Sequence, residues 1–253
     1  VSIIEEPPQP SAGFRTADVL TIAGGHAAHD TYTGFLPALL PSFIDRFLLS
    51  KTEAGLLAVT LQLPSLLQPV IGHLADRLGL RALIILAPAV AGILMSLLGV
   101  APGYPFLLGM LLLVGLSSAG LHAVAPVLAG RLAGPKLGRG MSFFMVGGEL
   151  GRTLGPVFAV TALVKFGVGG MPWLMAGGLA ASAVLFFRLR RIPEPHVDAV
   201  GRLSLRPALA AMGPVLLPLT GVIAGRVLFV AALGTYLPTY LRGEGASLWL
   251  AGA

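Results

Sequence analysis

Long apolar runs separated by short charged turns dominate this chain. Apolar stretches cover residues 18–43, 54–75, 80–100, 106–132, 141–166, 171–189 and 208–241. A helix rises 1.5 Å per residue, so about 20 apolar residues reach the ~30 Å of a bilayer's hydrocarbon core. The pattern therefore predicts seven membrane-spanning helices. Ser247 reads as the cap of an eighth that would occupy the last residues to Ala253. Residues 1–17 are polar, carry Pro7, Pro8 and Pro10, and read as a disordered tail without signal-peptide features. Residues 190–207 are polar and arginine-rich, and read as a linker between two bundles.

The polar residues inside the runs are few and placed unevenly. The first span holds His26, His29, Asp30, Thr31, Tyr32 and Thr33, then Pro37 and Pro41, which are expected to bend it. His26 and Asp30 are four apart and share a helix face. The fourth span holds Ser117, Ser118 and His122, the fifth Glu149 and Arg152, and the seventh Arg226. Ionisable groups in a membrane core are costly and usually functional.

Composition agrees with this picture. Hydrophobic residues are 55% of the 253, charged residues only 11%, and mean hydropathy is +0.87. Soluble domains carry about 25% charged residues. The net charge of +6 is not gathered on one face or block, which argues against nucleic acid. With the N-terminus and linker on one side, eleven Lys and Arg fall on that side and four on the other. That asymmetry puts the N-terminus in the cytoplasm. Cysteine is absent, which excludes disulfides and thiolate metal sites.

The turn between the second and third spans is Gly72-His-Leu-Ala-Asp76-Arg77-Leu-Gly79-Leu-Arg81. Its Gly-x-Leu-Ala-Asp-Arg-x-Gly-x-Arg pattern resembles the signature of the major facilitator superfamily. Gly79 suits a tight reversal. Asp76 is expected at the N-terminal end of the third helix, where its charge would offset the helix dipole. Gly151-Arg-Thr-Leu-Gly155-Pro156 resembles the antiporter motif of drug-exporting members, with small residues that admit a neighbouring helix. The first span from His26 to Pro41, Ser117-Ser118 with His122, residues 144–151, and Gly225-Arg226 to Pro238 resemble the fosmidomycin-resistance subfamily. The chain departs from that subfamily at His29, usually Asn, at Ala123-Val124, often Pro-Glu, and at Glu149 and Arg152, commonly amides.

The resemblance implies an all-α, polytopic membrane protein: a six-helix bundle over residues 18–189, built from two inverted three-helix repeats, and a seventh span at 208–253 with the start of the eighth. The family has twelve spans, so the resemblance covers its first seven, and the remaining helices of the same fold are expected as partners. It also implies a bacterial plasma membrane location and proton-coupled export of a small, anionic compound such as a phosphonate antibiotic. Asp30, His26, Glu149 and Arg152 are the candidates for proton coupling. His122, Arg226 and Tyr32 are the candidates to meet substrate. Gly72, Asp76, Arg77, Gly79 and Arg81 form the gating motif, and Gly151, Gly155 and Pro156 the helix-packing motif.

Each assignment has a structural counterpart. Asp30 could be a salt-bridge partner, Glu149 and Arg152 a self-neutralising pair, and the histidines cross-helix hydrogen-bonding groups. Arg226, far from either surface and without an acid in its own helix, needs a partner on the first or fifth helix. No cofactor is expected, and no metal, since the imidazoles lack a second cluster at ligand spacing. Two other functions fit the same machinery or its lack: proton-coupled uptake of an organic acid, and a non-transporting membrane fragment. An enzyme is not expected, because no nucleophile–base pair, nucleotide loop or cofactor motif is present.

Overall fold

The computed structural model describes residues 13–78, 81–192 and 205–252, and the side chains of all of these except 76–78 and 205–212. Most of the expected tail and linker lies outside these residues, as does Gly79. All regular elements among the described residues are helical. They are α1 (Thr16–Thr33), α2 (Phe35–Phe47), α3 (Lys51–Gln62), α4 (Gln68–Leu78), α5 (Arg81–Leu97), α6 (Tyr104–Ala133), α7 (Leu137–Gly170), α8 (Met175–Leu189), α9 (Leu205–Gly243) and α10 (Leu248–Gly252).

The first span is α1 followed by α2, divided at Gly34, with Pro41 inside α2. The second is α3 and α4, joined by a tighter 3-10 turn at Leu63–Leu67 that contains Pro64. By length and composition, four helical stretches could cross a membrane: Lys51–Ala75, Arg81–Val100, Tyr104–Leu189 and Gly213–Gly243. Tyr104–Leu189 contains three of the expected spans, α6, α7 and α8, joined through short 3-10 turns. The first span is not among the four. His26, His29, Asp30 and the neighbouring threonines reduce its apolarity, so packing rather than hydropathy must hold it.

That packing rests on glycine. A Cβ at Gly147, Gly151 or Gly155 of α7 would collide with the backbone carbonyls of Ala23, Ala27 and Thr31 of α1. Both series step by four residues, so the two helices meet backbone to backbone along one stripe. Gly151 and Gly155 thus act as the sequence motif implies, and Gly147 extends it by a turn. Gly115 of α6 is similarly closed by the Leu61 carbonyl of α3. Gly92 of α5 and Gly178 of α8 also meet, with the Tyr32 ring against both. First span packs on fifth, fourth on second, and third on sixth. That is the set of pairs expected when an inverted repeat exchanges spans one to three with four to six.

Two buried apolar clusters fill the bundle. One gathers Phe35, Leu39, Leu57, Met95, Leu107 and Leu111; the other Val19, Ile22, Ile84, Leu121, Phe144 and Leu185. Helix ends are tied across the bundle. Arg46 of α2 donates to the Gly99 and Ala101 carbonyls, and Arg81 Nη1 to the Leu189 carbonyl at 2.7 Å. Arg46 thereby serves carbonyls near the end of the third span, and Arg81 adds a second donor to a carbonyl that also accepts from the Ile192 N–H.

One expectation at the 72–81 turn is corrected. Asp76 lies in the last turn of α4, the end of the second span, while α5 begins only at Arg81. A carboxylate at a helix C-terminus gains nothing from the dipole, so the proposed dipole role fails. A Cβ at Gly72 would meet nothing within 4 Å, so packing does not require glycine there.

Helix α9 differs from the rest. None of residues 213–243 is buried, and its neighbours are mainly α2 and α10. Tyr236 donates to the Lys51 carbonyl at 3.3 Å. Ser247 accepts from the Leu250 N–H at 3.2 Å and so caps α10, as its position predicts.

Candidate functional site

The close approach of α1 and α7 decides what surrounds Asp30. This carboxylate is only 2% exposed. His26, one turn earlier, places Nε2 3.3 Å from Asp30 Oδ2. Arg152 of α7 reaches the same oxygen from Nη1 at 3.3 Å, and His122 Nε2 of α6 lies 3.8 Å from Oδ1. Both Asp30 oxygens are in ion-pair range, yet neither has a partner in hydrogen-bonding geometry. A Cβ at Gly148 would strike the His26 ring, so that glycine makes the room His26 occupies.

Backbone carbonyls fix the imidazole tautomers. His26 Nδ1 lies 2.9 Å from the Phe144 carbonyl, and His122 Nδ1 lies 2.8 Å from the Ser118 carbonyl. A carbonyl only accepts, so both Nδ1 atoms carry the proton and donate. In neutral rings both Nε2 atoms then present lone pairs. Those two atoms face one another at 3.2 Å, with the rings edge to face and their centroids 5.0 Å apart. Two lone pairs and a carboxylate thus converge on one point. The arrangement calls for a cation between them.

His29 does something else. Its Nδ1 donates to the Ala87 carbonyl at 3.2 Å and ties α1 to α5, the structural role its position allows. Its Nε2 is buried without a hydrogen-bond partner. Tyr32 donates to the Leu174 carbonyl at 2.5 Å. It also lines a cavity of about 380 Å³ with Ala28, Thr31, Phe35, Phe158 and Trp173. That cavity adjoins the Asp30 cluster without including it.

Arg152 also binds Glu149, at 2.7 Å between Nη2 and Oε1. The pair expected within the fifth span is therefore one arm of a larger network, Glu149–Arg152–Asp30. Glu149 is 56% exposed, Arg152 49% and His122 27%, so the network opens to the outside through these three side chains. Arg226 is not part of it. It is exposed on α9, and among the described residues no acid lies within the 4.0 Å of an ion pair. The partner expected for Arg226 on the first helix is served by Arg152 instead.

The fold brings together potential metal ligands that spacing along the chain does not. His26 and Asp30 of α1 and His122 of α6 meet with ligand atoms within 4.8 Å of one another, although they stand on two helices far apart in the chain. Sequence reasoning missed the Arg152–Asp30 contact and the two orienting carbonyls. Gly148 beside Glu149 was the only visible trace, since a glycine there frees space for a ring on a facing helix.

Comparisons with known proteins agree with the fold. The family model described as Major Facilitator Superfamily matches residues 22–253. The fosmidomycin resistance protein of Escherichia coli K12 is 25% identical over 94% of this chain and 62% of its own length. An uncharacterised transporter of the superfamily from Bacillus subtilis, YfnC, is 30% identical over 76% of this chain and 46% of its own. Among solved structures, a bacterial homologue of the human lysosomal transporter Spinster, inward-facing and unoccupied, superposes with a TM-score of 0.72 at 21% identity. That alignment covers 96% of this chain and 59% of the other. The chain thus spans about half to three-fifths of the length of these relatives. With its helical bundle, its membrane-length apolar helices and a family match over nearly all its residues, this multi-pass membrane chain belongs to the major facilitator superfamily.

Proposed function

We propose that the protein is a proton-coupled secondary transporter of the drug/proton antiporter type. It exports a small anionic compound, such as a phosphonate antibiotic, across the bacterial plasma membrane, with its N-terminus in the cytoplasm. The observation that carries this reading is the meeting of His26 Nε2, His122 Nε2 and the Asp30 carboxylate, with each imidazole's Nδ1 turned to a backbone carbonyl. One proton shared by the two imidazoles makes the cluster neutral: Asp30 and Glu149 negative, Arg152 and the imidazolium positive. Without it the network carries one net negative charge, which an apolar surround disfavours. Proton release is thereby tied to a change in exposure, as coupling demands. Glu149, Arg152 and His122 are the more exposed members and offer the route in.

The relative named for fosmidomycin resistance supports export of a drug. Arg226 supports an anionic one, since its planar donor fork suits carboxylate and phosphonate oxygens. In this reading α9 lines the central cavity together with further helices of the same fold, which would cover its exposed face. The Gly72–Arg81 turn would latch the two halves on the cytoplasmic side, and Asp76→Asn should then reduce transport without preventing insertion.

The test is proton movement driven by drug. Everted vesicles containing the protein, energised to acidify their interior, should lose part of their pH gradient when fosmidomycin is added. Asp30→Asn should abolish the loss. A gradient that ignores the drug, or collapses equally with Asp30→Asn, would overturn the proposal.

A further inference from the structure

The geometry points to a divalent metal site: we propose that His26, Asp30 and His122 bind an ion of the Zn²⁺ class as three protein ligands. The site is defined by the placement of these three side chains, whether or not the protein couples transport to protons.

Three observations carry it. The first is the shape of the ligand triangle. Nitrogen and oxygen ligands sit at about 2.0–2.1 Å from Zn²⁺, so in a tetrahedral site they lie about 3.3–3.4 Å from one another. Here the two Nε2 atoms are 3.2 Å apart, His26 Nε2 is 3.3 Å from Asp30 Oδ2, and His122 Nε2 is 3.8 Å from the other carboxylate oxygen, Oδ1; one ligand atom from each residue lies within 4.8 Å of the others. A turn of the Asp30 carboxylate and a shift at His122, the most exposed of the three, bring one oxygen within ligand distance of both imidazoles.

The second is orientation. Metal-binding imidazoles commonly donate their other ring N–H to a carbonyl or carboxylate, which fixes the tautomer and aims the lone pair. His26 does so to Phe144 and His122 to Ser118. The lone pairs are therefore already aimed before any ion arrives.

The third is the buried carboxylate, whose two oxygens lack a hydrogen-bonding partner despite 2% exposure. Buried polar atoms are nearly always satisfied, and an ion is one of the ordinary explanations when they are not. Two imidazoles and a carboxylate, without sulfur, are a ligand set that Zn²⁺ takes. The fourth position opens along the exposed edge of His122. Arg152 is the one opposing charge, and it already holds Glu149 at 2.7 Å, so it can leave Asp30 without losing a partner.

The purified protein in lipid nanodiscs should be titrated with Co²⁺. We expect one ion per chain and the visible absorption bands of tetrahedral coordination, displaced by Zn²⁺. His122→Gln, at the rim, should keep the protein folded by circular dichroism yet weaken binding at least tenfold. His73→Gln, on an exposed face of α4, should leave it unchanged. Arg152→Gln keeps every ligand and removes the competing cation, so affinity should rise several-fold. Absence of the bands, binding that survives His122→Gln, or binding left unchanged or weakened by Arg152→Gln would each overturn the site. Failure of the drug-driven proton test would not bear on it, since binding is read without transport.

Discussion

Helices α1 and α9 carry the same kind of cargo in opposite settings. Each bears ionisable or polar groups in an apolar surround, yet α1 is the less apolar and the better buried. Asp30 and His26 are almost wholly enclosed, whereas Arg226 is exposed and no residue of 213–243 is buried. The difference is contact surface. α1 meets α7 along three glycines that bring backbones together, while a Cβ at Gly213, Gly221, Gly225 or Gly234 of α9 would touch nothing within 4 Å. In a bilayer the lipid is as apolar as leucine, so hydropathy inserts a helix but does not place it. Small residues and polar partners do the placing, and α1 has both.

Paired substitutions test this contrast. The largest difference is expected at glycine. Gly151→Leu forces a side chain into the Ala27 carbonyl and the Asp30 Cβ, and overpacking of this kind costs about 1–3 kcal/mol or more. With backbone as the obstacle, the upper end or beyond is expected, seen as lost monodisperse protein and a depressed Tm in detergent. Gly225→Leu on α9 should change stability by no more than about 0.5 kcal/mol. Equal effects would mean that the α1–α7 contact is not what holds the first span.

Charge comes next. Asp30→Asn should reduce drug export about a hundredfold or more, roughly 2.7 kcal/mol. Arg226→Gln should reduce it about tenfold, roughly 1.4 kcal/mol, with Arg226→Lys in between. If both Arg226 variants export an anionic drug as well as the parent, Arg226 does not meet substrate.

The two tyrosines give the smallest contrast. Tyr32→Phe removes a short hydrogen bond to Leu174 from a tightly packed site, and about 1 kcal/mol of stability should go with it. Tyr236→Phe removes a longer bond on an exposed helix and should cost a few tenths at most. Thermal unfolding in one detergent, with both variants side by side, reads the difference. A larger loss at Tyr236 would show α9 to be the more firmly seated helix.

Much of this was legible from single segments. Run length and apolarity determine that the chain is helical and spans a membrane, because lipid leaves few ways to satisfy a backbone. The spacing of Gly151 and Gly155 announces a close helix contact, and the scarcity of charges inside the runs singles out Asp30, His122, Glu149, Arg152 and Arg226. What no segment contains is which faces meet. The Arg152–Asp30 contact, the facing Nε2 atoms of His26 and His122, and the isolation of Arg226 depend on the rotation and depth of helices far apart in the chain. His26 and His122 are separated by 96 positions, and no local rule relates them. Periodicity is a property of one helix; a binding site here is a property of three, α1, α6 and α7, and only their packing brings its atoms within reach of one ion.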